Sequence, residues 1–331
     1  MKRTSWLLGA GLIAALAIPL LLGGPGLFAQ LRAFPLDRLL FMLGLVLIGW
    51  NLNALRLRLL LAGRAGTLGQ PRALGIVIST EFAYCATPGG TGGPVTLLTL
   101  LIRHGMRPTQ ASAVFAVDQL IDMLFFLFAL VGVALYVFLE AVDLRIGWMV
   151  GVPLLLLSGG LIFLGLLLRH YSRALKVTGT WLRKLKVRSQ TRFGLTRRLL
   201  HFRLALLATL SLPRRTLALA FLLSAGHWLL RYSLLYLAIT GLGQSIAWAW
   251  TFLVQMLSMA AGHLSFLPGG AGGTELTSLA LLAPMIAKQE AAAAILIWRF
   301  VTYYFYLMAG APVFLAFASR SLRHMWRSRR A

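Results

Sequence analysis

Two short stretches of this chain say nearly the same thing: PGGTGG at Pro88 to Gly93 and PGGAGG at Pro268 to Gly273. Both stand in apolar surroundings, and both are made of residues that interrupt helices. A helical pattern restarts after each, as PVTLLTLLIRH and TELTSLALLAP. Pro94 suits a first helical position, and Thr274 suits an N-cap. A helix N-terminus presents unsatisfied N–H groups and the positive end of its dipole. Two of them meeting near a bilayer centre would bind an anion such as a phosphate or carboxylate headgroup. Glycines also permit close helix packing, but two matched loops weigh toward a site. The candidate binding residues are therefore Pro88, Gly89, Gly90, Gly92 and Gly93, with Pro268, Gly269, Gly270, Gly272 and Gly273. Neither loop ends in Gly-Lys-Ser/Thr, which excludes a nucleotide loop.

Charged residues inside apolar runs are costly and mark pathways or pairs. Glu81 lies seven residues before Pro88, and Glu275 lies two after Gly273. Asp118 and Asp122 stand four apart on one helix face, so one of them is a candidate proton carrier. Arg299 lies at comparable depth in the last apolar run, and His227 and Arg231 share a face. Opposite charges must pair or line a polar cavity, so Glu275 is expected to meet Arg299, and Asp118 or Asp122 to meet Arg231. His263, five residues before the second loop, reads as a packing residue. No nucleophile and base assemble into a catalytic set, so no catalytic residue is assigned. No His/Cys cluster has metal-ligand spacing, no cofactor is implied, and the single cysteine, Cys85, permits no internal disulfide.

The elements that must hold these residues follow from composition. Of 331 residues 59% are hydrophobic and only 12% charged, which describes a polytopic helical membrane protein. The net charge of +24 comes from 32 Lys and Arg against 8 Asp and Glu, placed between apolar runs and at the termini. That is the positive-inside pattern, not a nucleic-acid surface. No acidic residue occurs between Asp143 and Glu275, so the middle of the chain favours an anionic leaflet. The segment from Trp6 to Leu22 follows Lys2 and Arg3. Leu27-Phe28-Ala29 offers no small-x-small cleavage site, so a retained first span is expected.

Six full spans are predicted, at about 6–22, 38–62, 109–139, 146–168, 216–241 and 290–318, with two broken regions at 73–103 and 246–287. Residues 169–215 carry thirteen Lys or Arg and no acid, which makes them a cytoplasmic loop. Within it, 174–186 has the character of a basic amphipathic surface helix. Both termini are cytoplasmic by the same rule. Each broken region enters and leaves on one side, the first from the cytoplasm and the second from outside. Residues 94–103 span only about 15 Å as a helix, half of a bilayer core. The arm 246–267 is long enough to cross.

A shift of 180 residues lays Pro88 on Pro268 and the four glycines of one loop on those of the other. The register continues with Leu101 on Leu281 and Phe125 on Phe305, and the span at 38–62 falls on that at 216–241. By the charge argument those two spans run in opposite directions. The expected organisation is one integral membrane domain over 1–331. Its inverted-repeat halves lie at about 36–140 and 216–318, linked by the span at 146–168 and the basic loop 169–215. This is a layout of secondary transporters, with the site near the midplane.

TPGGTGG followed by LLIRHGMRPTQASAVFAVDQLID, and LPGGAGGTE followed by AAAAILIWRFVTYY, resemble the lysylphosphatidylglycerol synthase transmembrane, or flippase-like, family over nearly the whole chain. The most specific parts are Glu275, Arg299 and Asp122. The resemblance implies a membrane domain that moves phospholipids between leaflets, in a bacterial plasma (inner) membrane. It departs from the family pattern where Pro94 and Val95 stand in place of a Glu after the first glycines. The chain also ends at Ala331 without an aminoacyl-transferase domain, so lysyl transfer is not expected. The function expected is a flippase- or scramblase-like lipid transporter and not an enzyme, with membrane lipids bearing an anionic headgroup as partners. The alternatives are an integral membrane enzyme acting on lipid phosphates, or a non-catalytic partner of a lipid-modifying enzyme.

Overall fold

A backbone in hydrocarbon must satisfy its own polar groups, so long apolar runs fold as helices. The computed structural model describes residues 2–24, 26–64, 68–139, 147–171, 180 and 189–328. Among them the helices are α1 (Lys2–Gly23), α2 (Leu27–Ala33), α3 (Leu36–Leu61), α4 (Gln70–Ala86), α5 (Gly92–Arg103), α6 (Pro108–Leu139), α7 (Gly147–Arg169) and α8 (Ser189–Leu210). They continue with α9 (Arg214–Gly241), α10 (Trp248–Leu264), α11 (Gly273–Leu282), α12 (Lys288–Arg299), a π-helical turn (Phe300–Tyr304) and α13 (Phe305–Ser328).

Among the described residues four helices are long and apolar enough to cross a membrane: Leu36–Leu61, Pro108–Tyr136, Arg214–Gly241 and Lys288–Phe317, the last running through the π turn. They coincide with four of the six expected spans. The expected first span is α1, 22 residues from Lys2 to Gly23, whose stretch Gly9–Gly23 turns by 108° into α2. Gly24, at φ +75°, sits in that bend. The expected span at 146–168 corresponds to α7, a helix of 23 residues from Gly147 to Arg169.

The basic loop at 169–215 is corrected in part, because 22 of its residues form α8. Arg192, Arg197, Arg198 and Arg203 hide that helix from a hydropathy reading, yet Leu206 and Thr209 are buried. The guanidinium of Arg64 anchors its end, donating to Thr209 Oγ1 at 2.8 Å and to the α3 carbonyls of Leu60 and Leu61 at 2.6 and 3.0 Å. The amphipathic stretch 174–186 lies outside the described residues except for Thr180.

Both broken regions are broken where the glycines stand. α4 and α5 have 17 and 12 residues, and α10 and α11 have 17 and 10. At 1.5 Å per residue these arms are about 15–26 Å long, all shorter than a hydrocarbon core of roughly 30 Å. The arm expected to be long enough to cross, 246–267, therefore yields a helix that is too short. It starts only at Trp248, and Ser265 already caps its end.

The chain divides into two compact units. One comprises Met1–Arg58, Thr67–Leu100 and Gly226–Ala331, and the other Leu59–Gly66 and Leu101–Ala225. Both glycine loops belong to the first unit. In that unit α4 packs on α13, α10 on α11, and α1 on both α11 and α12. Trp50 stacks on Phe305 at 5.7 Å and meets the edge of Tyr306 at 5.0 Å. In the second unit α6 packs on α7 and α8.

Candidate functional site

The two loops meet. Pro88 and Pro268 form an isolated antiparallel bridge at the tips of the two helical breaks. Proline has no N–H, so the neighbouring backbone groups must carry the pairing. The turns are built alike. Gly90 N–H donates to the Thr87 carbonyl and Gly270 N–H to that of Leu267, both at 3.1 Å. Thr91 and Ala271 N–H donate to the Pro88 and Pro268 carbonyls, both at 3.3 Å. Gly89 and Gly90 have φ +57° and +69°, and Gly269 and Gly270 have +63° and +67°. Only glycine takes this region without strain.

Several of the N–H groups expected to form an anion site have acceptors within the chain. The amide of Gly92 donates to Thr87 Oγ1 at 2.7 Å, and that of the equivalent Gly272 donates to Glu275 Oε2 at 2.6 Å. Gly93 N–H is bonded to the Gly90 carbonyl, and Thr274 N–H to that of Gly270. The chain supplies its own acceptors, and at the second loop the acceptor is itself an anion. Thr274 is not the N-cap; its hydroxyl donates to the Gly270 carbonyl at 2.9 Å, and Gly272 holds the cap position. Pro94 stands two residues inside α5, which opens at Gly92.

Glu275 lies at the third position of α11, where a glutamate reaches back to the capping amide. Its other oxygen meets Arg299 Nε at 2.6 Å, with the side chains 0% and 2% exposed. This expected pair is present, although its N–H points off the line of a hydrogen bond. Arg299 also donates from Nη2 to the Gly269 carbonyl at 2.9 Å and lies over the Tyr303 ring at 4.5 Å. One arginine at the end of α12 thus ties the second loop at two points. The π turn follows it at once and supplies Tyr303, which packs where Gly269 would otherwise carry a Cβ. Such π insertions recur at functional sites. The helix α1 covers this loop: a Cβ on Gly11 would stand 3.2 Å from the Pro268 carbonyl, and Tyr304 donates to the Leu12 carbonyl at 3.0 Å.

The partner expected for Arg231 is corrected. Its Nη1 meets Glu81 Oε2 at 3.2 Å, not an aspartate, with side chains 17% and 14% exposed. The Tyr306 hydroxyl lies 3.4 Å from the same nitrogen, and the Trp228 and Tyr306 rings face the guanidinium at 5.7 and 5.1 Å. His227 is buried, with Nδ1 on the Gly49 carbonyl at 3.1 Å and Nε2 on Asn53 at 3.2 Å. Asp118 and Asp122 fall in the second unit, where Asp122 accepts from Ser224 Oγ at 2.6 Å. His263 is exposed beside the first tip; its Nδ1 is 2.7 Å from the Met259 carbonyl, and Nε2 faces Gly90.

Sequence reasoning missed Thr87, Tyr303 and Tyr306. For Thr87 a signal existed. In the 180-residue register Thr87 falls on Leu267 while Val95 falls on Glu275, so each loop keeps one acceptor and loses the other. Tyr303 and Tyr306 belong to other helices, and no local pattern announces them.

No curated protein matches the chain. Its sequence from residue 6 to 310 matches the family described as lysylphosphatidylglycerol synthase TM region, and the chain belongs to that family.

Proposed function

We propose that this membrane domain is a lipid transporter of the flippase or scramblase kind, which moves a phosphate-bearing lipid between bilayer leaflets. The paired glycine loops form its central barrier. The observation that carries the reading is the bridge between Pro88 and Pro268, which joins two helical breaks at their tips within a membrane domain. Broken helices with short arms are tolerated in a bilayer only where protein or a polar cavity covers them. Two such breaks in matched register are what inverted-repeat transporters use. In this reading the hairpins are re-entrant from opposite faces of a plasma membrane, with both chain termini in the cytoplasm.

The headgroup passes when the tips separate, and the acyl chains remain in the bilayer. Because the Gly92 and Gly272 amides already have acceptors in Thr87 and Glu275, the loops act as a closure and not as the anion cradle. The largely buried but not sealed Arg231–Glu81 pair is the polar contact left for a headgroup. Alternating access then consists of making and breaking the tip bridge, with Arg299 holding the second loop in shape.

The test is leaflet exchange of a fluorescent phospholipid in liposomes holding the purified protein, read by dithionite quenching. Exchange well above that of empty liposomes supports the reading. Exchange equal to empty liposomes, from protein shown to be folded and inserted, contradicts it.

A further inference from the structure

The second hairpin carries an ionisable side chain that the closure leaves idle. His263 stands in the last turn of α10, and its ring is exposed beside the first tip. A Cβ on Gly90 would lie 3.9 Å from His263 Nε2, and one on Gly89 would lie 3.8 Å from the His263 carbonyl oxygen. Both the ring and the backbone of this residue therefore lie against the opposite loop. Its neighbours Leu264 and Phe266 are apolar and each 76% exposed. A polar ring left among them in hydrocarbon is costly, which sets it on a polar path between the hairpins.

The helix it sits on sets the state of the ring. A carbonyl only accepts, so Nδ1, 2.7 Å from the Met259 carbonyl, holds the proton of the neutral imidazole and Nε2 keeps the lone pair. The amides of Gly90, Thr91, Gly92 and Gly93 are engaged within the first loop and do not donate to it. A second proton turns Nε2 into a cationic donor near Gly92, where α5 begins. A helix N-terminus is the positive end of its dipole and disfavours a cation, whereas the last turn of α10 favours one. The α10 contribution is the same whether the tips are together or apart; only the α5 contribution distinguishes the two states, and only a difference shifts an equilibrium. The carboxylates on the arms, Glu81 of α4 and Glu275 of α11, are held by Arg231 and Arg299. The other ionisable groups about the tips are Tyr84 and Cys85 of α4 and Tyr303 of the π turn. Phenols and thiols are ordinarily neutral below about pH 7.5.

We propose that His263 is a proton-sensitive pin on the closure: as a neutral ring it packs the first tip against the second hairpin, and as a cation it drives that tip away. The inference rests on the reading that the tips part, and it adds what biases the parting. Imidazole changes its charge between about pH 5 and 8. The closed form is favoured at the upper end of that range and weakens as pH falls through it. The first loop yields because the second is tied by Arg299 and covered by α1.

The test is double electron–electron resonance on the full chain in nanodiscs, with spin labels at Val95→Cys and Leu276→Cys on a Cys85→Ser background. Val95 and Leu276 are exposed on α5 and α11. With His263 intact, the population at the longer label distance should rise about two- to fivefold between about pH 7.5 and about pH 5, the factor one unfavourable charge at a helix terminus gives. In His263→Gln, which stays neutral, that population should ignore pH. In His263→Lys, which stays charged, the acid population should be present at both values. Distances that ignore pH with His263 intact overturn the proposal, and that measurement needs no variant at position 263 to fold. A response that persists in His263→Gln, a response of the opposite sign, or a His263→Lys protein that stays closed overturns it as well. The readout is a distance and not lipid movement, so the two ideas fail separately. A protein that exchanges lipid while its distances ignore pH sinks this inference alone. One that responds to pH and exchanges no lipid sinks the transport reading alone.

Discussion

The first glycine loop and the second have the same turn, the same leading pair of left-handed glycines and a shared bridge, yet they solve one problem by opposite means. The amide at the third glycine of each must be satisfied. In the first loop the acceptor is Thr87, upstream of the turn; in the second it is Glu275, downstream. The equivalents are Leu267 and Val95, neither of which can accept. Val95 is 64% exposed, whereas Glu275 is fully buried. A neutral hydroxyl can cap a loop and leave its surroundings open. A buried carboxylate needs a cation, and the cation, Arg299, brings α12, the π turn and Tyr303 with it. The second loop is therefore a fixed part, and α1 lies over it. The first keeps Thr91 exposed and Pro88 half-buried. In the proposed lipid pathway the first loop is the one that would move.

That comparison fails first, if it fails, at Glu275. Glu275→Ala strands Arg299 at 2% exposure, and breaking a buried pair from one side costs about 3–5 kcal/mol. The expected result is loss of the monodisperse folded protein in size-exclusion chromatography, with Glu275→Gln milder because an acceptor for the Gly272 amide remains.

Next in size is Gly270→Ala. At φ +67° an L side chain costs about 1–2 kcal/mol. The added Cβ would also lie 2.9 Å from the Gly262 Cα, which is backbone and cannot swing aside. Gly90→Ala has nearly the same φ, but its nearest neighbour is the Tyr84 ring at 2.9 Å, a side chain that can turn. Thermal unfolding in detergent should rank Gly270→Ala clearly below Gly90→Ala. Equal melting temperatures would remove the contrast between a fixed and a yielding loop.

Thr87→Val deletes the hydroxyl acceptor and should cost about 1 kcal/mol, as the loss of a helix cap does. Exchange activity should change more than stability does, because the movable loop is the one altered. Smallest is Thr91→Ala on the exposed tip, expected to leave stability within about 0.5 kcal/mol of the wild type.

Much of the plan was legible in the sequence, for a physical reason. Spanning helices at 38–62, 109–139, 216–241 and 290–318 follow from apolar length alone. The two breaks follow from Pro and Gly, and the Glu275–Arg299 pair follows from the cost of burying a lone charge. What escaped depends on contacts between segments far apart in the chain. α8 carries four arginines that cancel its hydropathy, and only its packing on α6 explains why it is a helix. Arg231 was expected to meet an aspartate because its own helix does not reveal which carboxylate a neighbour presents, and the neighbour is Glu81 on α4. The free-amide anion site was a local reading of two helix starts. Thr87 and Glu275 were both in view, but the turn that aims them at equivalent amides was not.

The central claim is that the tips meet and must part for lipid to pass. Directly opposed residues of a pair that cannot exchange its own N–H bonds have Cα atoms about 4.5 Å apart, within the range a disulfide spans. The decisive measurement is leaflet exchange by Pro88→Cys/Pro268→Cys, on a Cys85→Ser background, before and after oxidation. The account predicts that oxidation links the two positions within one chain, that exchange then falls to the level of empty liposomes, and that reduction restores it. Failure to form the link in folded protein, or exchange at the full rate with the link formed, would contradict it.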